Sequence, residues 1–160
     1  MLTHPIGEIH ARCCNDGHST FYWCTPRADV VSVDVSRKAV KAARKSCRAF
    51  KNCRLVRGDG IKFLENFNGV IDLLFLNAWD VALNTKYAEN HLMTYLKAKP
   101  KLNKKNIIAI DDTDIGDGGK GLLLIPVLTA DGYQILVQGR QTIAIVEKFS
   151  QSTEVDGSSL

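Results

Sequence analysis

The chain has 160 residues, 45% of them hydrophobic, and carries 21 lysines and arginines against 17 aspartates and glutamates for a net charge of +4. This length suffices for one real core and not for two ordinary domains, so a single domain over residues 1–149 is expected, with the polar end SQSTEVDGSSL making residues 150–160 a disordered tail. No run approaches the roughly eighteen apolar residues of a membrane span, and MLTHPIGEIH lacks the basic-then-apolar order of a signal peptide; a cytoplasmic protein with no membrane partner is expected.

A first strand is expected around Ile6 to Cys14, followed by a loop and short helix in NDGHSTFYWC. ADVVSVDVS has the β-branched density of a buried second strand, and Ser36 is placed to cap the helix after it. That helix, within SRKAVKAARKSCRAFKNCR, concentrates the positive charge. Val40, Ala43, Cys47 and Phe50 form its inner stripe, while the lysines and arginines face outward. A solvated face accounts for the pattern, and a nucleic-acid partner is not expected.

CRLVRGD reads as a short third strand and GIKFLENF as a helical turn or two. VIDLLFLNAWD is nearly all apolar, the signature of a central parallel strand covered on both faces. TKYAENHLMTYLKAKPKL has helical periodicity in Tyr87, His91, Leu92 and Tyr95, and NIIAIDD is a fifth strand. GKGLLLIPVLTADG reads as a helix that Pro126 should kink if it starts early, and YQILVQGRQTIAIVEK as two strands joined at Gly139-Arg140. The five cysteines, Cys13, Cys14, Cys24, Cys47 and Cys53, are odd in number and show no C-x-x-C spacing, so they are expected to be reduced and mostly buried.

Strand–helix alternation closed by a hairpin implies an α/β, Rossmann-like, doubly wound three-layer sandwich. Its sheet should be mostly parallel and seven-stranded, with a C-terminal antiparallel hairpin. Ligands of such sheets bind beyond the carboxyl ends of the parallel strands. Here those ends carry NDGHST after strand one, Asp34 after strand two, Asp59 after strand three, Asn77 and Asp80 after strand four, and Asp111 and Asp112 after strand five. Any one is an ordinary turn former, but four in register point to a site. Ser19 and Thr20 are placed to cap a helix and to bond a ligand, and Asp34 follows Gly17 at about the offset of a ribose-binding carboxylate.

NDGHST, SVDVS, RGDG, LLFLNAWD and IAIDDTDIGDGGKG, in that order and ahead of the terminal hairpin, resemble the class I S-adenosylmethionine-dependent methyltransferases from residue 5 to residue 148. More narrowly they resemble the small-molecule O-methyltransferases of the catechol and caffeoyl-CoA type. The resemblance implies S-adenosylmethionine as cofactor. Gly17, His18, Ser19 and Thr20 would pass its methionine part, Asp34 with Val35 would bind the ribose, and Asp59 with Gly60 would lie near the adenine. Asn77 would adjoin the cofactor and, with Asp111 and Asp112, match the metal ligands of the family; such oxygen donors suit magnesium or calcium. The ion would hold a substrate hydroxyl, lower its pKa and aim it at the donor methyl.

Four departures accompany the resemblance. Arg12 and Cys14 stand where an acid and a glycine are expected, Asn77 replaces the first metal-ligand aspartate, and Asp80 stands where catechol-type enzymes place a lysine. Asp80 reads as a base, a further ligand or a helix cap; His18 and His91 are candidate bases or ordinary surface and core histidines, and Trp79 a pocket wall or packing residue. The leading function is O-methylation of a small hydroxylated acceptor, with an open pocket or one covered by another subunit of a homo-oligomer. The rivals are methylation of nitrogen or RNA, and a binding protein that keeps the fold without the chemistry. A nicotinamide-binding Rossmann domain is disfavoured because no G-x-G-x-x-G is present.

Overall fold

The structure, a computed structural model, describes residues 18–25 and 28–146. The chain divides into two units, Met1–Phe63 and Leu64–Leu160. The expected first strand and the tail at 150–160 lie outside the described residues.

In the first unit, α1 (His18–Cys24) precedes β1 (Val30–Asp34), α2 (Arg37–Ser46) and β2 (Cys53–Arg57). β1 and β2 pair in parallel, from Val30 opposite Cys53 to Asp34 opposite Arg57. α2 starts where its cap predicts, the Ser36 hydroxyl accepting from the Ala39 N–H at 3.2 Å. Its inner stripe buries Ala39, Val40 and Ala43, while Arg44 and Lys45 complement the negative end of the helix dipole in the last turn. The Asn52 side-chain amide donates to the Cys24 and Ala28 carbonyls at 3.0 and 2.6 Å, fastening the end of α1 to the approach to β1.

α3 (Gly60–Asn66) leads into the second unit, which holds β3 (Ile71–Leu76), α4 (Tyr87–Ala98), β4 (Leu102–Ile110), α5 (Leu124–Ala130), β5 (Gln134–Val137) and β6 (Thr142–Ile145). The sheet order is β3-β4-β6-β5, with β3 and β4 parallel and β6 antiparallel to both neighbours. The terminal hairpin is therefore present, with β6 inserted beside β4. Six strands in two sheets, of two and four, stand among the described residues in place of the expected seven in one. β3 is not covered throughout: among the described residues β4 is its one partner strand, and Asp72 and Leu73 are exposed while Leu76 is buried. α5 starts late enough to put Pro126 in its first turn, where the missing N–H has no intrahelical acceptor to lose and no kink is forced. Leu76, Tyr95, Ile108, Ile110, Leu124 and Leu128 form the core of this unit with Tyr133 and Ala144.

Candidate functional site

β3 and β4 run in the same direction, so the residues that follow them emerge at one edge. The Asp111 N–H donates to the Leu76 carbonyl at 3.0 Å, extending the parallel ladder one residue and fixing Asp111 next to the strand that delivers Asn77. Beyond Asp111 the chain turns sharply. Asp112 has φ 49°, in the left-handed region that a non-glycine residue enters at a cost. Thr113 then ties the loop to the β5–β6 turn: its N–H donates to the Arg140 carbonyl at 2.9 Å, and its hydroxyl bonds the Gly139 carbonyl and the buried Thr142 hydroxyl.

The glycines of IAIDDTDIGDGGKG close this loop on itself. Gly119 has φ 49°, and a methyl group there would run into the Asp112 carbonyl oxygen. The same carbonyl accepts from the Lys120 N–H at 3.1 Å. Lys120 is thereby carried back beneath the carboxyl ends of β3 and β4. Its ammonium, on a side chain only 2% exposed, donates to Asn77 Oδ1 at 2.8 Å and lies 3.0 Å from Asp112 Oδ2.

The three residues expected to bind a divalent cation thus come together, but around a cation that the chain supplies. Asp112 also faces Arg140, its Nη2 3.6 Å from Oδ1, and the buried Asp111 accepts from Gln141 Nε2 at 3.1 Å with Arg140 Nε at 3.9 Å. Two carboxylates are balanced by one ammonium and one guanidinium, so the cluster has no excess negative charge to recruit a divalent ion. Such an ion would also have to displace Lys120 from both partners, leaving a buried ammonium uncompensated. The donor set does not fit the expected magnesium or calcium.

His91, on α4, is fully buried and half satisfied. Its Nδ1 donates to the Tyr87 carbonyl at 2.6 Å, while Nε2 has no partner. Burial holds the imidazole below its ordinary pKa of 6.5 against the Tyr87 carbonyl, and the Lys120 charge adds to the depression. Trp79, at φ 51°, stands edge-on to this ring with centroids 5.4 Å apart. His91 is therefore a neutral core histidine walled by Trp79, and its burial keeps it from acting as a solvent-facing base. Asp80 is exposed and does not cap α4, which begins seven residues later at Tyr87.

In the first unit, Asp34 Oδ1 accepts from the Ser36 N–H at 2.6 Å and Asp59 Oδ1 from the Lys62 N–H at 3.0 Å. Each carboxylate uses one oxygen on its own turn, as turn formers do. Val35 is exposed beside Asp34, and Gly60 opens α3 after Asp59. Ser19 and Thr20 lie inside α1 instead of capping it, and the buried Thr20 hydroxyl is bonded to Ser32 Oγ at 2.9 Å. Gly17, Arg12 and Cys14 fall outside the described residues, as does the His18 side chain.

Lys120 is the site residue that sequence reasoning missed. Its signal was present, a lone lysine between glycines where no helical pattern had begun, but reading GKGLLLIPVLTADG as one helix hid it.

Neither a protein-family model nor a curated protein matches the sequence. Solved structures do. An O-methyltransferase from Bacillus cereus in complex with SAH is 14% identical, with TM-score 0.64 over 82% of this chain and 70% of that one. The N-methyltransferase NodS from Bradyrhizobium japonicum, with S-adenosyl-L-homocysteine, is 13% identical, with TM-score 0.61 over 81% of this chain and 71% of that one. A protein proposed to be an rRNA-methylase, from Clostridium thermocellum, is 14% identical, with TM-score 0.62 over 86% of each chain. These share the architecture while differing in the atom or molecule their names give as methylated. The fold of this chain is that of the S-adenosylmethionine-dependent methyltransferases.

Proposed function

We propose that the protein is an S-adenosylmethionine-dependent methyltransferase that methylates an oxygen of a small hydroxylated acceptor. The observation that carries this reading is the polar cluster of Asn77, Asp111, Asp112 and Lys120 at the carboxyl ends of β3 and β4 in a methyltransferase fold. Asp34 binds the ribose, and Asp59 lies on the adenine side. The sulfonium of the cofactor supplies the methyl group, which passes in line to the acceptor oxygen, and alignment contributes most of the acceleration. Lys120, buried and held by Asn77 and Asp112, acts through space as a fixed positive charge at this edge that favours the negative charge gathering on that oxygen. Exposed Asp80 takes up the hydroxyl proton.

Calorimetric titration with S-adenosylmethionine and S-adenosylhomocysteine, with magnesium or with chelator, tests the reading. Micromolar binding indifferent to magnesium is expected. Asp34→Ala should weaken it by about 1 to 3 kcal/mol, the scale of a lost charge-assisted hydrogen bond. Turnover in an acceptor screen should survive chelator and fail in Lys120→Met. Chelator-sensitive turnover refutes the lysine's role, and absence of cofactor binding under every condition refutes the enzyme. Binding without turnover on any acceptor favours the rival binding protein; the locking of Lys120 by both Asn77 and Asp112 is what supports that rival.

A further inference from the structure

Cys24 ends α1, Cys47 closes α2 and Cys53 opens β2, so three segments of the first unit each contribute one thiol. All three are free. Cys24 and Cys47 are 1% and 3% exposed and Cys53 is half-buried, and their three Sγ atoms lie within 4.8 Å of one another. Among the described residues, this is the one group of three or more histidine, cysteine or acidic side chains close enough to share an ion.

Spacing decides what such a group can hold. A tetrahedral cation bound by three thiolates at about 2.3 Å each sets its sulfurs about 3.8 Å apart, so the cluster needs to contract by no more than about 1 Å. Soft sulfur donors select a thiophilic d10 ion over magnesium or calcium. Cys47 and Cys53 also line a cavity of about 230 Å3 with Arg44, Arg48, Phe50 and Leu55. That leaves room for an ion to arrive and for a water as fourth ligand, since one water occupies about 30 Å3.

We propose that Cys24, Cys47 and Cys53 form a binding site for one zinc-class divalent cation, held as a tris-thiolate with its fourth position toward this cavity. Three S–H bonds break and three metal–sulfur bonds form. Three protons leave to solvent, and the one net negative charge of the complex is offset by Arg44 and Arg48. No electron is transferred. The bound ion would join α1, α2 and β2 at one point, independently of the methyl-transfer reading. Because each thiol must lose its proton to bind the ion, uptake should strengthen as pH rises.

The test uses the full reduced chain under anaerobic conditions, with cadmium as an ultraviolet-visible thiolate probe and zinc as competitor. Expected are one cadmium per chain, a sulfur-to-metal charge-transfer band, release of three protons and displacement by zinc. Cys47→Ser should weaken uptake by at least about tenfold, while a Cys13→Ser/Cys14→Ser chain keeps it. No band, a band that survives Cys47→Ser, or one lost with Cys13 and Cys14 overturns the proposal. Should the Cys47 variant not fold, alkylation of the unaltered chain in mild denaturant decides. Cadmium must then protect Cys24, Cys47 and Cys53 together, and any other pattern overturns the site.

Discussion

Asp112 and Gly119 both hold left-handed backbone, at φ 49° each, and they touch across the loop that delivers Lys120. Gly116 is also left-handed, at φ 55°, but open space surrounds the position of its missing side chain. The pair separates conformational strain from steric contact. Gly116→Ala should cost about 1 to 2 kcal/mol, the usual penalty of that backbone region for an L-residue. Gly119→Ala adds the collision with the Asp112 carbonyl and should cost a further 1 to 3 kcal/mol or so, with loss of turnover as Lys120 shifts. Denaturant melts of both variants compare the two terms. Equal losses would mean that the loop gives way without disturbing its neighbour.

At the scale of elements, caps and ties set the boundaries. Ser36→Ala should lower stability by about 1 kcal/mol, because the Ala39 N–H loses its acceptor at the start of α2. Thermal melting reads this directly, and an unchanged midpoint would show the cap to be idle. The junction of α4 and α5 is fastened differently. Asp131, just after α5, accepts from the Tyr95 hydroxyl at 2.6 Å and from the Lys99 ammonium at 2.7 Å, joining the last turn of α4 and the 3-10 turn after it to the end of α5.

For the whole molecule, buried His91 and partly exposed Asp131 set how stability responds to acid. His91 has a depressed pKa, so between its folded value and 6.5 the unfolded chain binds more protons, and stability falls as pH drops below 6.5. Asp131 is held below 3.8, by the Lys99 bond first and the Tyr95 hydroxyl next, so its contribution is present above 3.8 and lost on further acidification. Below pH 6.5 the profile should decline in two stages, and at alkaline pH it should fall again, because burial makes Cys24, Cys47 and Tyr95 hold their protons more tightly in the folded chain. His91 contributes at most about 1.4 kcal/mol per pH unit to the first. His91→Phe should remove that first stage and leave the second, as measured by melting temperature against pH; a decline unchanged in the variant would assign it to another group.

Helix α2 with its cap, the core stripe of α4, the terminal hairpin and the polar carboxyl ends of the strands were all legible in the sequence. Each rests on a local cause: side-chain period, a hydroxyl three residues before an N–H, or a turn residue that ends a strand. The meeting of Asn77, Asp111 and Asp112 was legible as well, because parallel strands deliver their ends to one edge. What occupies the space between them was not, since it depends on a loop of four left-handed residues that folds Lys120 back onto Asn77, 43 positions earlier in the chain. The exposure of Asp72 and Leu73 on β3 was likewise hidden, because it depends on what packs over the strand, and the spacing of the five cysteines gave no hint that three of them converge. Sequence alone determined the elements and the edge at which chemistry would be found, because local propensities act over a few residues. Tertiary structure decided which charge sits at that edge and which thiols face one another, because those contacts exist only after distant segments have packed.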